Sequence, residues 1–166
     1  DGPHKFSAFT ASVLQLRPES TGHLALVSAK IDDHPAIYPN YLATETDCRT
    51  VVKGIQIARK IAQTEPLKSH ITEEYAPGAH IALDDEDATL NWARRSMATI
   101  YHPTGTCKMG IDPMAVLDPK LRVKGVRGLR VADASIMPQI VSGNTNAPAI
   151  MIGEKASALV LEDATE

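Results

Sequence analysis

The chain has 166 residues, the size of one average domain or two small ones, and carries 17 basic against 20 acidic residues for a formal net charge of −3. That balance excludes a generally basic nucleic-acid surface, and an apolar share of 43% excludes a disordered chain. Two cysteines, Cys48 and Cys107, with no C-x-x-C pair support neither a structural zinc site nor a disulfide framework.

In chain order, the mixed alternation over 9–17 predicts a strand. The turn signal Arg17-Pro18-Glu19-Ser20-Thr21-Gly22 follows, and residues 23–28 read as the returning strand of a hairpin. Residues 31–44 are broken by His34-Pro35 and Tyr38-Pro39 and read as irregular, with one short edge strand at most. Val51, Val52, Ile55, Ala58, Ile61 and Ala62 recur at helical spacing and predict a helix over 46–64, with Thr46 or Asp47 as its cap. Glu65-Pro66 ends it, because the residue before proline disfavours the helical region. A second helix is predicted over 85–98, with acids at its start and Arg94 and Arg95 at its end. After residue 99 glycine and proline become dense, and runs such as 121–123 and 129–132 read as short strands. A last helix is predicted from Ala147-Pro148 to about Leu161.

Three segments of the second half are richer in polar and small residues than packing requires. The first is 101–110, Tyr-His-Pro-Thr-Gly-Thr-Cys-Lys-Met-Gly. The proline restricts the backbone of His102 and so fixes where its imidazole points, and histidine is the usual base near neutral pH. On residue type alone, a loop histidine bonded to a backbone carbonyl is the commoner case. The second is 128–138, Gly-Leu-Arg-Val-Ala-Asp-Ala-Ser-Ile-Met-Pro, an apolar strand ending in Asp133 and the small Ala134 and Ser135. A carboxylate just past such a strand often meets ligand hydroxyls, though a plain strand-end turn fits equally. The third is 142–148, Ser-Gly-Asn-Thr-Asn-Ala-Pro, which presents free amides before the last helix. Taken alone, simple capping by Thr145 or Asn146 is the ordinary explanation.

In order and spacing, these segments together resemble the C-terminal part of the glucose–methanol–choline family of flavoprotein oxidoreductases. The likeness continues through 117–126 and 151–155 and includes the Arg17-Pro18-x-Ser20-x-Gly22 turn. Within the family it is nearest the choline and alcohol dehydrogenase branch. The resemblance implies a parent enzyme that oxidises a primary alcohol to an aldehyde by hydride transfer to FAD. It puts His102 on the catalytic histidine and Asn144 on the second active-site position. It puts Asp133 and Ala134 along the FAD, and Asn146, Ala147 and Pro148 near the flavin ring.

The fold class it implies is α/β or α+β. A substrate-domain β-sheet packed by helices would occupy 1–99, and the C-terminal strand and helix segment of an FAD-binding domain would occupy 100–166. No G-x-G-x-x-G motif is present. The expectation is therefore an incomplete fragment of a larger fold, inactive alone and not retaining FAD, whose partners are the N-terminal remainder of its parent chain and a small alcohol. An exposed apolar patch and self-association would follow. The alternative is a non-catalytic interaction module descended from the family. The expected location is the cytoplasm or the periphery of an inner membrane.

Overall fold

A computed structural model describes residues 4–164, which form two compact units. The first unit takes in the chain up to Thr21 together with Asn40–Ala98. Helix α1 spans Glu45–Ala62 and helix α2 spans Glu86–Ser96. Each starts where the residues dictate. The Thr44 hydroxyl accepts the Asp47 amide at 3.2 Å, and the Asp85 carboxylate accepts the Ala88 amide at 2.9 Å. The two helices run antiparallel. Lys53 at the middle of α1 pairs with Glu86 at the start of α2, and the Arg94 guanidinium near the end of α2 lies 3.9 Å from the Cys48 sulfur near the start of α1. Between them Val52, Thr89 and Ala93 form a buried seam. Arg59 of α1 donates to both carboxylate oxygens of Glu74 at 2.8 Å and to the Ile81 carbonyl at 2.8 Å, which ties down the connection between the helices.

Two expectations for this unit need correction. Residues 9–17 are not a strand. Their alternation is real, with Val13 and Gln15 half-buried and Leu14 and Leu16 exposed. The partner, however, is a helix. A Cβ on Gly54 of α1 would sit 2.2 Å from Val13 Cγ1, so the extended segment lies directly on that glycine. Asp47, in turn, is no cap. It is 2% exposed and accepts from the Gln15 amide at 2.7 Å, the Glu19 amide at 3.0 Å, the Ser20 amide at 2.8 Å and the Ser20 hydroxyl. One buried carboxylate thus holds the turn at Glu19 and Ser20.

The second unit takes in Gly22–Pro39 and the chain from Thr99 onward. Strands β1 (His23–Ala25) and β2 (Ala36–Tyr38) pair antiparallel with His23 opposite Tyr38, their rings stacked 4.5 Å apart. The returning strand therefore finds its partner in 36–38 and not in 9–17. Gly22 is required here for close approach, since a Cβ would lie 1.9 Å from the Tyr38 carbonyl oxygen. The sheet expected from the first ninety-nine residues reduces to this pair. The short strands expected over 121–132 are single bridges, Leu117 to Val123 and Arg122 to Arg130. Among the described residues the fold is accordingly a mixed one of helices and one two-stranded sheet.

Helix α3 spans Asn146–Asp163, one residue earlier at its start and two later at its end than the sequence predicts. Its Ile152, Ala156 and Leu159 pack on Leu117, Leu121 and Ile136 to make the buried core of this unit. Its C-terminal end is fastened by an ion pair between Asp163 and Arg130.

Candidate active site

Within the second unit the backbone joins the first two of the three unusual segments. The Cys107 amide donates to the Ser135 carbonyl at 3.0 Å, and the Met109 amide to the Ile136 carbonyl at 2.8 Å. These bonds lay the 101–110 loop along the segment that carries Asp133 and Ala134. Two left-handed residues shape the loop. Gly105 has φ +88°, where a side chain would be strained, and Tyr101 turns at φ +64° immediately before His102.

The third segment is reached by a side chain. His102 Nδ1 lies 2.8 Å from Thr145 Oγ1, and His102 itself is half-buried. Nε2 has no hydrogen-bond partner among the described residues. Thr145 occupies the N-cap position of α3, yet its side chain caps nothing. Capping is the role its residue type suggests, and the hydroxyl is instead turned to the imidazole. The sequence offered Thr145 only as a capping residue; the signal for more was its place between Asn144 and Asn146.

The remaining candidates fall as follows. Asn144 is exposed and directly precedes Thr145, the residue that contacts His102. Asn146, Ala147 and Pro148 form the first turn of α3. The amides of Asn146 and Ala147 have no partner within the helix, and Pro148 has no amide to satisfy. Asp133 is exposed; its Oδ1 accepts from the Ser135 amide at 2.7 Å and from the Ser135 hydroxyl, closing a 3₁₀ turn over Ala134–Ile136. Its other oxygen makes no hydrogen bond among the described residues. The three segments therefore expose, from one unit, a histidine nitrogen, a carboxylate oxygen, two backbone donors and a side-chain amide.

A family model described as GMC oxidoreductase matches residues 18–153, and the chain belongs to that family. Among curated relatives, the alcohol dehydrogenase (acceptor) of Pseudomonas putida is 45% identical over 153 residues, covering 92% of this chain and 27% of that protein. The mitochondrial choline dehydrogenase of Homo sapiens is 47% identical over 161 residues, covering 95% of this chain and 27% of that protein. Among solved structures, pyridoxine 4-oxidase from Mesorbium loti superposes with a TM-score of 0.77 at 33% identity, over 86% of this chain and 28% of that one. Aspergillus oryzae RIB40 formate oxidase does so with a TM-score of 0.82 at 29% identity, over 89% of this chain and 26% of that one. The chain thus spans about 27% of the length of each of the two curated relatives.

Proposed function

We propose that this chain is the C-terminal portion of a longer FAD-dependent oxidoreductase that oxidises a primary alcohol, choline or a simple alkanol, to the aldehyde. The single observation that carries the reading is the His102–Thr145 contact. It holds one imidazole nitrogen and leaves the other without a hydrogen-bond partner among the described residues, and Asn144 directly precedes the threonine that makes the contact. The names of the relatives, an alcohol dehydrogenase and a choline dehydrogenase, support the substrate class.

The exposed groups suit a flavin nucleotide. The unbonded Asp133 oxygen can accept from a ribityl or ribose hydroxyl, with the small Ala134 beside it allowing close approach. The free amides of Asn146 and Ala147 can donate to a ring carbonyl or a phosphate, and the positive end of α3 favours such an oxygen. When bound, the FAD supplies the acceptor for the two electrons of the substrate hydride.

His102 takes the hydroxyl proton of the alcohol at Nε2. The O–H electron pair stays on oxygen and moves in to form the C=O bond as the hydride leaves the α-carbon. Asn144 donates its side-chain amide to the same oxygen, where negative charge grows. Neither residue changes its own oxidation state. On this reading Asn144→Ala slows flavin reduction by about 10–10³-fold in the full-length enzyme, less than removal of the base. An effect confined to KM, with kcat unchanged, contradicts a role in the transition state. Release of one aldehyde per alcohol consumed, measured with a carbonyl-trapping reagent, tests the reaction class.

The apolar surface supports a longer chain. Leu26, Ile31 and Ile111 are 88%, 96% and 93% exposed, and the rest of the enzyme is the natural cover for such residues. Isolated, the 166-residue chain is expected to self-associate and to remain colourless after incubation with FAD and desalting. A monomer in sedimentation at high concentration counts against that cover, and retained flavin counts against the division of the cofactor site between the two parts.

A further inference from the structure

We propose that Thr145 is the positioning residue of the site: its hydroxyl accepts the His102 Nδ1–H and so holds the imidazole in the tautomer that leaves the Nε2 lone pair free. The inference rests on the reading of His102 as the base. Four features of the molecule point to it. The Oγ1 to Nδ1 separation is 2.8 Å, a full hydrogen bond. Thr145 is 8% exposed, so little water competes for the bond. Its hydroxyl is not spent on the helix, since no cap bond to the amides of α3 is made. Its β-branched side chain has few χ1 rotamers open to it.

The direction of the bond follows from the chemistry. A neutral imidazole carries one proton. If the hydroxyl donated to Nδ1, that proton would sit on Nε2, and the nitrogen facing the substrate would be a donor. If the hydroxyl accepts, Nε2 is bare and can take the alcohol proton. The accepting arrangement also serves the protonated ring, because Nδ1–H keeps donating to the same oxygen. The contact then needs no rearrangement as the proton arrives, whereas a donating hydroxyl would have to turn away.

The test is imidazole ¹⁵N NMR on the full-length, FAD-loaded enzyme labelled at histidine, together with flavin-reduction kinetics. In the wild type, His102 is expected as the Nδ1–H tautomer. Thr145→Val keeps the shape and the branch but cannot accept; tautomer mixing and a reduction rate lower by about 10–100-fold are expected, the range typical for loss of an orienting partner. Thr145→Ser restores both readouts. A purely structural threonine would leave the tautomer of Thr145→Val unchanged, and that result overturns the proposal, as does an Nε2–H tautomer in the wild type. A wild-type reduction rate in His102→Ala overturns the base reading itself, whatever tautomer is seen.

Discussion

Replacement of His102 by Ala in the full-length enzyme is expected to slow alcohol-driven flavin reduction by about 10²–10⁴-fold while FAD stays bound. The rate falls because no other imidazole replaces it: His102 is the one histidine among the three segments. The cofactor stays because the groups offered to it are separate. Asp133 is set by its own bonds to Ser135, and the amides of Asn146 and Ala147 belong to the backbone of α3. The fold tolerates the change, since His102 lies outside the buried core around Leu117 and Ile136. Rapid mixing with alcohol under anaerobic conditions reads the rate, and the flavin-to-protein absorbance ratio reads occupancy. Unchanged reduction removes the base assignment. Loss of flavin with the fold intact would assign His102 to cofactor binding instead.

The largest expected effect on stability lies at Asp47. Asp47→Ala is expected to destabilise the chain by about 2–4 kcal/mol in urea unfolding. Four donors converge on this carboxylate, from Gln15, Glu19 and Ser20. A hydrogen bond to a charged group contributes about 1.5–3 kcal/mol. Water recovers part of the loss, because Glu19 is exposed and Gln15 and Ser20 are only half-buried. A change below about 0.5 kcal/mol, the range of an ordinary surface substitution, contradicts the anchoring role.

The same site titrates. Burial alone would push the Asp47 carboxyl up; the Ser20 hydroxyl, the Glu19 and Ser20 amides and the Gln15 side chain outweigh it and lower the pKa from 3.8 to about 2. The native state therefore holds the carboxylate ionised where the unfolded chain has already taken a proton. Stability from this group is full above pH 3.8 and is lost as the pH falls towards 2. That shift corresponds to about 2 kcal/mol at its full extent. Asp47→Asn does not titrate, so its stability relative to wild type improves across that window. A constant difference between the two proteins over the window would show that Asp47 is not responsible.

The helices were legible because helical spacing is local. Val52 faces the buried seam as its periodicity requires, although Ile61 of the same expected stripe is exposed, and the helix boundaries lie a few residues from those expected. The strand over 9–17 was misread for a physical reason. Alternation reports that one side of an extended segment is covered, and it does not say whether a strand or a helix covers it. Asp47 was misread because an acid in a first helical turn is ordinarily a dipole or capping residue; the turn it holds lies twenty-seven residues earlier, at Ser20.

At the site, the chemical density of the three segments was visible in the residues, and the structure joins them through the Cys107, Met109 and His102 bonds. Thr145 was not visible as anything but a cap. Its hydroxyl has two uses available, and only the fold brings the imidazole within 2.8 Å to decide between them.

The most direct test of the account is the visible spectrum of the purified full-length enzyme, before and after anaerobic addition of choline or a simple primary alcohol. A flavin spectrum that bleaches on addition, with aldehyde formed in equal amount, is the predicted result. A flavin that stays oxidised with every primary alcohol offered, or a full-length protein that binds no flavin, would contradict the alcohol-oxidising function assigned to His102 and Asn144.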